Sequence, residues 1–223
     1  ICASILFPTS WLLCLGLPSY EHITSVGDKV SFEIPQLPAI LICICVFAFG
    51  ITIIEGAMAD WASVYVKEML GSDSLGTGYG FVLFAAFMAL GRFLGDKIKI
   101  KLGTILVARV FVILSILGLI ILVTADALWL ALVGFALTGA GVSVGFPLAV
   151  SSAASIDEKR EASYVAFLSL IALTGFLVGP PIIGFVANVT NLKTGFLMLF
   201  PGLFLSLFMS SKLISIKSER NVS

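Results

Sequence analysis

Charge is scarce in this sequence. Only 12% of its 223 residues are Asp, Glu, Lys or Arg, against 59% hydrophobic, and the mean hydropathy is +1.14. Too little polar material exists to coat a water-soluble globule. Basic and acidic residues balance at 13 each, so no basic field points to nucleic acid. His22 is the only histidine and sits in a polar stretch, where a solvated side chain is expected. Cys2, Cys14, Cys43 and Cys45 lie in apolar surroundings with no CxxC pair and no histidine at ligand spacing, which argues for packing thiols over a metal site. The glycines from Gly71 to Gly78 lack the lysine and the preceding strand of a phosphate-binding loop, and no nucleophile stands with a base. No metal, no cofactor and no enzymatic chemistry is expected.

Long hydrophobic runs are present instead. A bilayer core about 30 Å thick needs roughly 20 mostly apolar residues per helix. Six such runs occur, approximately over 39 to 65, 78 to 94, 104 to 124, 127 to 150, 162 to 187 and 192 to 211. Backbone groups inside hydrocarbon must be hydrogen-bonded within a helix or a closed barrel, and these runs are too long for barrel strands. The fold class is therefore an all-α membrane protein.

Basic residues gather on one side of this threading. Lys29, Arg92, Lys97, Lys99, Lys101, Lys159, Arg160, Lys212, Lys217 and Arg220 oppose Lys67 and Lys193, which makes the Lys97 side and the C-terminus cytoplasmic in a multi-pass cell-membrane protein. Residues 1–17 are apolar without a basic start and read as the end of a truncated preceding helix, or else as an interfacial segment. Residues 18–38 turn polar and close on Pro35 and Pro38, as a linker between membrane blocks would, and 212–223 form the tail. Short connections are expected at Gly71 to Gly80, Gly95 to Gly103, Asp157 to Glu161 and Asn188 to Asn191. The glycosylation-like triplets at Asn188 and Asn221 read as chance matches. The third and sixth runs are nearly pure Leu, Ile, Val and Phe, whereas the others carry Glu55, Asp60, Tyr79, Thr138, Ser143, Tyr164, Ser169 and Thr174. That pattern fits two triplets whose last helix faces lipid while the others line something wet.

Glu55 is the strongest candidate for function. It lies twelve residues inside Lys67, about 18 Å at ~1.5 Å per residue, too deep for a Glu to snorkel. It must face a cavity or a partner, either as an acid that exchanges protons or as a structural hydrogen-bonding group. Asp60 is nearer the interface, about 10 Å from Lys67. Trp61 and Tyr65 either line a solute path or form an interfacial aromatic belt. Glu55 and Asp60 stand ~140° apart around the helix and do not form a one-face carboxylate pair. Arg109 is close enough to Gly103 to snorkel. Glycines and prolines in the last runs, Gly175, Gly179 and Pro180 foremost, permit either rocking helices or tight static packing.

The run Gly91, Arg92, Phe93, Leu94, Gly95, Asp96, Lys97, with Lys99 and Lys101 after it, resembles the cytoplasmic loop signature of the major facilitator superfamily, where it follows the second helix of the C-terminal half. Glu55 to Trp61 is similar to a seventh-helix segment of a distantly fucose-permease-like bacterial branch, and Gly175, Gly179, Pro180 resembles the glycine-proline helix of that fold. The resemblance covers 39–211. It implies a six-helix C-terminal bundle of a twelve-helix fold built as a 3+3 inverted repeat, with the linker as the central cytoplasmic loop. It further implies a secondary transporter moving a small solute by alternating access, a partner N-terminal half, and a conformational-switch loop at Gly91, Arg92, Gly95, Asp96 and Lys97; the expectation of protons as coupling ion rests on Glu55 alone. A non-transporting scaffold or receptor of the same fold is the alternative.

Overall fold

The computed structural model describes residues 37–70 and 76–214. All regular structure among them is helical: α1 (Ala39–Leu70), α2 (Tyr79–Leu102), α3 (Thr104–Thr124), α4 (Leu128–Val142), α5 (Gly145–Ala154), α6 (Glu161–Val189), α7 (Leu192–Leu197) and α8 (Phe200–Met209), then a 3-10 turn at Ser210–Lys212. Expectations for residues 1–36, for the start of the Gly71 turn and for the tail beyond 214 lie outside the described residues. Cys2, Cys14, His22, Lys217, Arg220 and the Asn221 triplet lie there too.

Five stretches are long and apolar enough to cross a membrane: Ala39–Leu70, Thr104–Thr124, Leu128–Ala154, Glu161–Val189 and Leu192–Lys212. The remaining expected span, α2, has the length, but its second half carries Arg92, Asp96, Lys97, Lys99 and Lys101. Here the structure corrects the sequence reading. No loop begins at Gly95: the helix runs on through the proposed switch segment and stops only at Gly103, whose φ of 80° and ψ of 159° suit glycine alone. Its N–H returns to the Lys99 carbonyl at 2.8 Å while α3 starts on the next residue. Asp and Lys do not break a helix, and basic residues in the last turn complement its dipole.

Two spans are broken. α4 and α5 part at Ser143–Val144, and α7 and α8 part at Met198–Leu199. A proline follows each break, and Pro147 and Pro201 have no N–H to give to the carbonyls of Ser143 and Leu197 four residues earlier, although Pro180 and Pro181 sit within the unbroken α6.

Packing follows the two triplets. α1 lies chiefly against α6 and α8, and α4 lies against α2 and α3, so the first helix of each triplet contacts the second and third helices of the other. α1 forms the centre, with Leu41, Ile44, Phe47, Ile51, Ile54 and Met58 fully buried. Close approach between α3 and α4 needs Gly118, Gly134 and Gly141, where any added side chain would meet backbone of the opposing helix.

Apolar exposure is not confined to the third helix of each triplet, as the composition predicts. α3 does show an outward stripe of Leu106, Val110, Ile113, Leu117 and Ile120. Yet the apolar window of α6 is only 22% buried against 44% for Thr104–Thr124, and α2 exposes Phe81, Val82, Phe87, Leu90 and Phe93. Several expected pore-lining polar groups also face inward: Thr138 and Ser143 are fully buried. Thr138, Ser169 and Thr174 each donate to the carbonyl four residues back, at 2.8, 2.8 and 2.9 Å. A hydroxyl that can bond its own helix needs no wet surface.

Candidate functional site: an ion pair and a cleft on either side of α1

Glu55 projects from the middle of α1 toward α2. Its two carboxylate oxygens each accept from the Arg92 Nη2 group at 3.4 Å. That spacing is loose for a charge-assisted hydrogen bond, which usually measures about 2.7–2.9 Å. The Glu55 side chain is 13% exposed and that of Arg92 45%, so the pair is covered on the acid side and open on the guanidinium side. Arg92 Nε donates to the Ser143 carbonyl at 3.3 Å. That is the carbonyl deprived of its helical donor by Pro147. Gly91 and Gly95 bring α2 close enough: a side chain at Gly91 would collide with Ser143 Oγ, and one at Gly95 would stand 2.5 Å from Val144.

The opposite flank of α1 packs on α6. A side chain at Gly56 would strike the Phe176 carbonyl, and one at Gly179 the Ile53 carbonyl; at Gly175 it would stand 2.6 Å from Thr52 Oγ1. Pro180 deprives the Phe176 carbonyl of its donor, and that group lies against Gly56. Pro180's own carbonyl accepts from Trp61 Nε1 at 3.0 Å. Toward the Lys67 end the helices separate into a cleft of about 760 Å³, walled by Asp60, Trp61, Phe176, Leu177, Pro181, Phe185 and Asn188 among others.

Sequence reasoning placed Glu55 and Arg92 in separate roles, and the structure joins them. Arg92, counted with the membrane-flanking bases, stands about 15 Å along the helix from Leu102. Asp60 and Trp61 share the cleft with Pro180, on a different side of α1 from Glu55. Asp96 and Lys97 join neither group: both are exposed on α2, with Lys97 Nζ 5.8 Å from the centre of the Phe93 ring. Tyr65 points into the bundle and touches the edge of a second cleft, between Glu68 and Lys193. It is 2% exposed and its hydroxyl donates to the Leu122 carbonyl at 2.7 Å. Arg109 is exposed on α3. The part of the Ser143 carbonyl went unforeseen, although a proline four residues on is a readable signal of a freed acceptor.

The sequence pattern of the Major Facilitator Superfamily matches residues 33–222. The chain belongs to that family. It is 33% identical to an uncharacterized MFS-type transporter of Yersinia pestis over 148 residues, 66% of this chain and 38% of that protein. An uncharacterized transporter of Sinorhizobium fredii, y4wD, is 28% identical over 82% of this chain and 48% of its own length. The membrane protein MosC of Rhizobium meliloti is 29% identical over 87% and 47%. The chain thus spans less than half the length of these relatives, and none of the three names specifies a solute. As a major facilitator chain it is a multi-pass membrane protein, and its helices are those of a six-helix half of the fold. In such a protein a charge at membrane depth costs roughly 2.5–3.5 kcal/mol on insertion scales, which makes the Glu55–Arg92 contact the feature most in need of a purpose.

Proposed function

We propose that this bundle is one half of a secondary transporter that moves a small solute across the cell membrane by alternating access, working against a second six-helix bundle. The Lys97 end and the C-terminus face the cytoplasm. The observation that supports this reading is the Glu55–Arg92 pair, loosely spaced at 3.4 Å and open on the arginine side. A tight, fully enclosed pair would serve structure alone. One with an open guanidinium can exchange its partner for a proton on Glu55 or a polar group of the solute, as a transport cycle requires. Arg92 also holds the carbonyl at the α4–α5 break, so a change of partner at Glu55 reaches the one helix of the site that is already bent. Asp60 and Trp61 stand on the solute path, Gly175, Gly179 and Pro180 form the surface on which α1 and α6 rock, and Asp96 latches the cytoplasmic ends of the two bundles. Protons are the coupling ion; 100 mV supplies ~2.3 kcal/mol per charge moved, enough for considerable accumulation.

The test is uptake by the protein in proteoliposomes, with labelled sugars, organic acids and amines, with and without an imposed pH gradient. Gradient-dependent accumulation that Glu55→Gln abolishes is the expected result. Accumulation insensitive to Glu55→Gln removes the coupling role, and folded protein that moves none of these solutes overturns the transport reading in favour of a scaffold or receptor. Asp96→Asn is expected to shift cysteine accessibility between the two faces; unchanged accessibility rejects the latch.

A further inference from the structure

The cleft between α1 and α6 is one-sided in its hydrogen bonding. Its natural donor, the Trp61 indole N–H, is already spent on the Pro180 carbonyl at 3.0 Å. What remains is rich in acceptors. Asp60 is exposed in the cleft, and among the described residues no hydrogen bond or ion pair reaches it. Pro181 has no N–H for the Leu177 carbonyl four residues earlier, which leaves that wall residue an acceptor without its helical donor. Asn188 contributes an amide with one acceptor oxygen and the only side-chain donor left in the lining. The rest of the wall is aromatic and aliphatic, with Phe176 and Phe185 beside Trp61. Lys67 shares the Asp60 face of α1 but stands about 10 Å further along and does not line the cleft.

A negative charge and unpaired acceptors set in an apolar, aromatic recess of about 760 Å³ complement one kind of small molecule. We propose that this cleft binds an organic cation, a primary ammonium carried on an apolar or aromatic body, with Asp60 as its counter-ion. The ammonium supplies the donors that Asp60 and the Leu177 carbonyl lack, and the apolar body lies against Trp61 and the phenylalanines, where face-on approach of the cation adds to the attraction. The inference deepens the transport reading and rests on it for the fate of the ligand, but binding itself needs no gradient.

The experiment uses the protein in phosphatidylcholine nanodiscs with every tryptophan other than Trp61 replaced by Phe, Trp11 and Trp129 of this chain among them. It is titrated with 2-phenylethylamine, with neutral 2-phenylethanol and with anionic 3-phenylpropionate. Saturable change of Trp61 emission with the amine alone is expected. Asp60→Asn should weaken it about tenfold or more, the loss of one charge-assisted contact. Asp60→Glu should keep it within a few-fold, and Asp126→Asn, an exposed acid outside the cleft, should leave it unchanged. Equal response to the alcohol, wild-type affinity in Asp60→Asn, or no response to the amine overturns the proposal. A Trp61 response to added phosphatidylethanolamine and none to the free amine assigns the same chemistry to a lipid headgroup and overturns it too. Amine binding without any uptake refutes transport alone, whereas uptake of other solutes without amine binding refutes this inference alone.

Discussion

The Glu55 carboxylate and the Arg92 guanidinium meet at 3.4 Å between the middles of α1 and α2, and Arg92 Nε extends the link to the Ser143 carbonyl at 3.3 Å. Removing either charge leaves the other without its counter-ion at membrane depth, which for a fully buried pair costs about 3–5 kcal/mol. Arg92 is 45% exposed, so screening lowers the expected loss to about 1–2 kcal/mol for Glu55→Ala or Arg92→Ala. The double variant should lose less than the sum, with a coupling of about 0.5–1 kcal/mol. Apparent melting temperatures of the four proteins in one detergent measure this; strictly additive shifts would show that the contact contributes nothing.

At Gly56 α1 lies so close to α6 that an added side chain would run into the Phe176 carbonyl. The obstruction to a side chain is backbone, which cannot rotate aside. Gly56→Ala should therefore lower the melting temperature markedly and enlarge the separation of α1 from α6. Gly78→Ala, with nothing within 4 Å of the added carbon, should be silent. Equal behaviour of the two variants in size-exclusion and melting experiments would contradict this packing.

The helical spans were readable because hydrocarbon leaves a backbone few choices, and runs such as 104–124 had no rival interpretation. Glu55 stood out for the same reason: an acid at that depth is conspicuous in one dimension. Its partner was not, because the α1–α2 pairing that sets Glu55 beside Arg92 depends on how two helices rotate about their axes, which composition does not fix. The charges after Gly95 have the composition of a loop, but polarity alone does not reverse a chain, and the turn waits for Gly103 and its left-handed φ. Tyr65 is a related case. A tyrosine near a membrane edge has the same sequence appearance whether it faces headgroups or, as here, a carbonyl of another helix.

Tyr65 ties four helices together. Its ring meets Phe135 of α4 edge-on at 5.8 Å and Phe196 of α7 at 5.4 Å, and its hydroxyl donates to the Leu122 carbonyl at 2.7 Å. Leu122 lies in the last turn of α3, where its carbonyl accepts a 3.3 Å bond from the Ala125 N–H and has a second lone pair left for the hydroxyl. Tyr65→Phe should keep the ring contacts and cost about 1 kcal/mol, whereas Tyr65→Ala should cost about 3 kcal/mol or more by emptying the ring site. Thermal unfolding of both variants separates the two contributions, and a phenylalanine variant as damaged as the alanine one would place the stabilisation in the hydroxyl.

Pro147 is the test of whether the α4–α5 break is dictated locally. Pro147→Ala restores an N–H that can bond the Ser143 carbonyl, the group now accepting from Arg92 Nε at 3.3 Å. Helical continuation through Val144 would let Leu128–Ala154 approach the length of an unbroken 27-residue helix, about 40 Å. Spin labels at positions 128 and 154, on a background without the native cysteines, should report a longer distance in the variant. Arg92 would then hold Glu55 alone, so the coupling measured between those two residues should also change. An unaltered distance would mean that Gly141, Gly145 and the α2 contact suffice to hold the bend, and that Arg92 binds a carbonyl the surrounding helices expose without help from the proline.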